Sequence, residues 1–67
     1  MIEIVVNGEP RQVPPGTTIT GLLASLGIPP ERVAVELDRA IIKSPAWPET
    51  TLAPGARIEI VHFVGGG

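Results

Sequence analysis

The chemistry of this 67-residue chain concentrates in its last residues, Val61-His62-Phe63-Val64-Gly65-Gly66-Gly67. A strand-like apolar run passes without a turn into three glycines. Glycine is about 7% of an average protein, so three together at this place have odds of about 3 in 10,000. Without a Cβ, the main chain can thread where any side chain would collide. Such a thread presents one reactive group, the α-carboxylate of Gly67. The expectation is that this carboxylate is the working part and that the preceding residues are its handle. A frayed chain end is the plainer alternative.

No other chemistry competes with it. The chain has no Cys and one His, which leaves no disulfide framework, zinc knuckle or thiolate-held iron–sulfur cluster. Its net charge is −2, and its five basic residues, Arg11, Arg32, Arg39, Lys43 and Arg57, are scattered. No stripe forms to displace phosphate counterions, and only Trp47 and Phe63 could stack on bases, so nucleic-acid binding is disfavoured. No apolar run nears the ~20 residues of a membrane span, and the first residues lack the pattern of a signal peptide. A soluble, cytoplasmic chain is expected. It is also too small to enclose a catalytic cleft of roughly 300–1,000 Å³, so a larger partner would supply the active site. His62 has no recognisable acid or metal ligand beside it and reads as structural. Trp47 reads as a cap on one end of a small core. Glu31, Glu36, Glu49 and Glu59 are solvating charges or points of contact for a basic partner.

The elements that would position the tail are legible in order. Ile2, Ile4 and Val6 alternate with Glu3 and Val5, predicting a strand. Asn7-Gly8 is a strong hairpin signal, with the return strand at 9–13, where Pro10 suits a sheet edge. Thr17 or Thr18 would cap a helix whose apolar face is Ile19, Leu22, Leu23 and Leu26, stopped by Gly27. Val33, Val35 and Leu37 predict a third strand. Asp38-Arg39 would turn it into a short fourth strand, Ala40 to Lys43. Ser44 to Pro48 reads as a loop with one helical turn, Ala53 to Ala56 as a type II turn, and Arg57 to Val64 as the last strand. A helix joining two halves of one sheet by a right-handed crossover makes an α+β roll, with the first and last strands parallel at its centre.

Period-two alternation then assigns faces. If Ile58 and Ile60 point at the helix, Val61 and Phe63 point to the open side, as does Val5. Exposed apolar residues just before the tail suggest a surface for partner docking. Val5, Val61, Phe63, Val64, Gly65, Gly66 and Gly67 are the candidate partner-binding residues, with residues 1–64 as the domain and 65–67 as the tail.

Several segments carry a family resemblance. They are the Ile-Val-Val-Asn-Gly-Glu opening, the Thr-capped Leu-Leu helix, Val33 to Ile42, Trp47, and Gly-Ala-Arg-Ile-Glu-Ile-Val leading to Gly-Gly-Gly. Together these resemble the ThiS family, the sulfur carriers of thiamine biosynthesis, across essentially the whole chain. The third glycine, Gly65, is a small departure that lengthens the thread. The resemblance implies a ubiquitin-like β-grasp roll, a mixed four- to five-stranded sheet with one main helix packed on one face. It implies no enzyme activity and no stably bound cofactor. A partner adenylyltransferase would use Mg-ATP to adenylate Gly67, a cysteine desulfurase or related donor would supply sulfur, and the resulting thiocarboxylate would serve thiazole synthase. The diglycine end is shared by the small subunit of molybdopterin synthase and by ubiquitin-like modifiers, which stay open as alternatives, as does a plain interaction module.

Overall fold

The computed structural model describes residues 1–63; Val64 to Gly67, and the expected boundary between 64 and 65, lie outside the described residues. Ile2–Val6 forms β1 and Glu9–Val13 forms β2, joined through Asn7 at φ 49° and Gly8 at φ 83°. Positive φ at both central residues is the type I′ turn, whose twist matches that of the flanking strands. Among the described residues β2 pairs only with β1, which puts it at the sheet's edge, where a proline without an N–H is tolerated.

Pro14-Pro15-Gly16 releases the chain into α1, Ile19–Ser25. Of the two threonines, Thr18 is the cap: its Oγ1 accepts from the Gly21 N–H at 3.1 Å. Thr17 instead donates through Oγ1 to the Pro14 carbonyl at 2.7 Å. Gly27, at φ 70°, ends the helix. Its N–H donates to the Ala24 carbonyl, and the Ile28 N–H reaches the Leu23 carbonyl at 3.0 Å. This paired closure is a Schellman motif, and it turns Ile28 back against the core. A Cβ at Gly21 would meet only ordinary contacts with Thr18 and Thr17, so nothing in the structure explains that glycine.

A 3-10 turn at Pro30–Arg32 leads into β3, Val33–Leu37. Asp38 and Arg39, at φ 50° and 73°, make a second type I′ turn, here without glycine. β4 is Ala40–Ile42, one residue shorter than expected, because Lys43 already serves as the cap of the next turn. That turn is a 3-10 helix, Ser44–Glu49, which carries Trp47 inward. After Gly55, at φ 82°, β5 occupies Arg57–His62.

The five strands form one mixed sheet in the order β2-β1-β5-β3-β4, with β1 and β5 parallel at its centre. α1 lies on one face. Ile4, Val6, Val33, Val35, Ile58 and Ile60 from the sheet and Ile19, Leu22 and Leu23 from the helix are buried together. Ile2, Leu26 and Leu37 pack against this cluster from its margin. Trp47 closes one end, buried except for 4% of its surface, with its indole N–H on the Ile42 carbonyl at 2.7 Å. Leu52 is an unforeseen core residue. Its segment crosses the helix start: the Leu52 N–H donates to Thr17, and the Ile19 N–H donates to Thr50.

Candidate functional site

The candidate site is the end of β5. Its position follows from the sheet order, because β5 is the middle strand and is held from both sides. Toward β3, Ile58, Ile60 and His62 stand opposite Leu37, Val35 and Val33, and the Phe63 N–H donates to the Arg32 carbonyl at 2.9 Å. Toward β1 the paired register covers only Val5↔Arg57 and Val6↔Ile58, with the Asn7 N–H adding a bond to the Ile58 carbonyl at 2.8 Å. There β1 turns away into its hairpin.

Asn7 fills the gap with its side chain. Its Oδ1 accepts from the Ile60 N–H at 2.7 Å, and its Nδ2 donates to the Ile60 carbonyl at 3.2 Å. A carboxamide has one acceptor and one donor group, as a peptide unit does, so Asn7 continues the ladder by one more rung. The other turn has a related bond. Asp38 Oδ1 accepts from the Arg57 N–H at 3.0 Å, at the start of β5 on the β3 side. Both hairpin turns thus grip the central strand. Neither contact follows from the sequence alone, although an Asx residue at the first position of a tight turn is the signal that could have raised it.

On the face away from α1, Val61 and Phe63 keep 55% and 64% of their surface exposed. Ala34 pairs with Val61. Ile41, two strands over and 72% exposed, lies on the same side because it stands opposite Glu36. Ala34, Ile41, Lys43, Pro45 and Phe63 line a shallow groove of about 370 Å³. Ile41 and Lys43 were not among the expected contact residues, because the register of a three-residue strand cannot be read from its sequence. Val5 does face the same side, but it is half-buried and paired with Arg57 and Pro10. Four strand residues, about 13 Å, separate that level from Val61. Val61 and Phe63 are therefore grouped with Ile41, and Val5 is not.

Below the apolar end the face becomes charged: Glu36 and Glu59 stand directly opposite one another. Like charges so placed repel, an arrangement that costs stability in the free protein. His62 is exposed at the sheet margin, on the helix side but beyond the core, next to Asn7, Arg11, Leu26 and Ile28. Glu31 and Glu49 lie on separate 3-10 turns, Pro30–Arg32 and Ser44–Glu49, and neither lines the groove. Val64, Gly65, Gly66 and Gly67 lie outside the described residues. Among the described residues, no three His, Cys, Asp or Glu side chains gather to hold a metal. No described helix is long and apolar enough to cross a membrane.

Comparison with known proteins supplies a family for this geometry. The ThiS family model matches residues 4–67. The chain is 44% identical over 66 residues to a thiazole synthase of Magnetococcus marinus, a match covering 98% of the chain and 20% of that protein. The chain thus spans about a fifth of the length of that relative. It is 46% identical over 50 residues to the sulfur carrier protein ThiS of Bacillus subtilis, covering 75% of the chain and 76% of the relative. The crystal structure of the thiamine biosynthesis protein ThiS from Geobacter metallireducens superposes with a TM-score of 0.86 at 33% identity, covering 98% of this chain and all of that one. On the family model, the relatives and the fold together, the chain belongs to the ThiS family of sulfur carrier proteins of thiamine biosynthesis.

Proposed function

We propose that Gly67 carries this protein's function as a C-terminal thiocarboxylate, formed and consumed in the active sites of partner enzymes. A carboxylate is a poor electrophile, since its carbon is shielded by negative charge and its leaving group would be oxide. Attack of the Gly67 carboxylate on the α-phosphorus of Mg-ATP, catalysed by an adenylyltransferase, releases pyrophosphate and leaves an acyl-adenylate. AMP is then a competent leaving group. The terminal sulfur of a persulfide on a donor of the cysteine desulfurase class attacks the acyl carbon and expels AMP. A second thiol cleaves the resulting acyl disulfide, forming a disulfide with the donor sulfur and releasing a thiocarboxylate, a soft nucleophile for thiazole synthase in the cytoplasm.

The chain's own residues bind and present. Val61 and Phe63, with Ile41 beside them, dock the partner through the open face. Residues 65–67 form a separate thread beyond the domain of residues 1–64, and Gly65, Gly66 and Gly67 pass through a channel too narrow for side chains. Four extended residues from Val64 reach about 13 Å, enough to bring the terminal carbon to a buried site. The observation that carries this reading is the apolar, exposed end of the central strand immediately before the glycines. The match to a region of a thiazole synthase supports that enzyme as the acceptor.

Intact-mass measurement after co-expression with an activating enzyme and a sulfur donor is the test. A gain of about 16 Da, one oxygen replaced by sulfur, is expected, and deletion of Gly67 should abolish it while leaving the fold intact. Lysine-linked conjugates would instead identify a modifier, and an unchanged mass would overturn the reading. Sulfur transfer to an acceptor other than thiazole synthase would move the protein to another pathway.

A further inference from the structure

We propose that Asn7 is a positioning residue for the proposed thiocarboxylate chemistry: its side-chain amide fixes the direction in which β5 delivers the tail. This inference rests on the carrier reading above. β5 outruns its parallel neighbour. β1 contributes backbone bonds up to Ile58, and the strand then continues through Ile60 to His62 with β1 already turned away. On that side the single tie beyond Ile58 among the described residues is the double bond of Asn7 to both main-chain groups of Ile60. The next groups on the same edge, the N–H and carbonyl of His62, face the side that β1 has left.

The strand's final residues are therefore held on the β3 side by the pairing of Val33 with His62 and by the Phe63–Arg32 bond. On the β1 side, among the described residues, they are held through Ile60 by Asn7 alone. Freed there, the last residues of β5 can swing about the β3 edge as a one-sided ribbon. Small angular errors at Ile60 grow along the thread, and reaction rates fall steeply when a reacting atom is misplaced by even an ångström. The docking surface of Val61, Phe63 and Ile41 does not include Asn7, so binding and delivery separate.

The substitution that isolates this role is Asn7→Asp. Asp-Gly retains the type I′ turn, but a carboxylate cannot donate to the Ile60 carbonyl and repels it. Thr18→Ala serves as a matched control. It removes the helix cap, a change of comparable size, at the opposite end of the sheet. Both variants are assayed by adenylation with the activating enzyme, below the temperature at which either unfolds. For Asn7→Asp, kcat is expected to fall about threefold to tenfold with KM unchanged, the loss corresponding to one or two hydrogen bonds. Thr18→Ala should keep the wild-type kcat. Equal kcat in Asn7→Asp and wild type, or an equal fall in both variants, would overturn the positioning role. A wild-type chain that is never adenylated would instead remove the carrier reading, and this role with it.

Discussion

On the side of the sheet facing α1, Ile4 and Ile58 are fully enclosed, whereas on the other side Val61 and Phe63, neighbours of Ile60 and His62 on the same strand, keep more than half their surface in water. One strand thus serves two purposes through its period of two. The enclosed side holds the domain together: each Leu or Ile buried there contributes roughly 1.5–3 kcal/mol. The open side contributes little to folding and retains apolar surface with like charges beside it, an expense tolerated where a surface is kept for another protein. Under the proposed function, the difference separates stability from recognition along one run of chain, β5 and the residue after it.

Three substitutions test that separation, in descending order of effect. Ile58→Ala empties the centre of the enclosed face and should cost about 2–5 kcal/mol. That is a large share of the roughly 3–10 kcal/mol expected for a domain of this size, so chemical denaturation should find the variant largely unfolded or nearly so. Phe63→Asp should leave the denaturation midpoint almost unmoved while weakening capture by the activating enzyme about tenfold, or ~1.4 kcal/mol, in a titration. An unfolded Phe63→Asp variant would mean that the open face belongs to the core after all. Glu59→Lys exchanges a repulsive pair with Glu36 for an attractive one, so stability should rise by about 0.2–1 kcal/mol. A denaturation midpoint that falls instead would show that the Glu36–Glu59 repulsion is not felt.

Much of this was legible in the sequence because its signals are local. Alternation marked β1, β3 and β5, Asn7-Gly8 marked the first hairpin, and Gly27 marked the helix end. The two turn side chains that grip β5 were not legible. Asn7 meets Ile60 across 53 residues, and only the assembled sheet brings them together. Leu52 escaped for another reason: it lies in an irregular segment with no period to declare a buried face, and it is enclosed because residues 50–52 bridge to the helix start. The grouping of Ile41 with Phe63, and the distance of Val5 from both, depend on strand register. Periodicity says which face a side chain takes but not how far along the sheet it falls. The glycines, the strongest signal in the sequence, lie outside the described residues and stay a matter for the mass measurement.

The two margins of the sheet carry a consequence for how the protein behaves in bulk. An open sheet ordinarily offers its outermost strands as templates on which further molecules can stack, a hazard for any protein that also displays bare aromatic and aliphatic groups. Here one margin is β2, where Pro10 and Arg11 interrupt and charge the border, and the other is β4, only three residues long and closed by a 3-10 turn. Both borders are poor seeds for aggregation. The apolar face can therefore stay uncovered without the borders of the sheet offering a template for association.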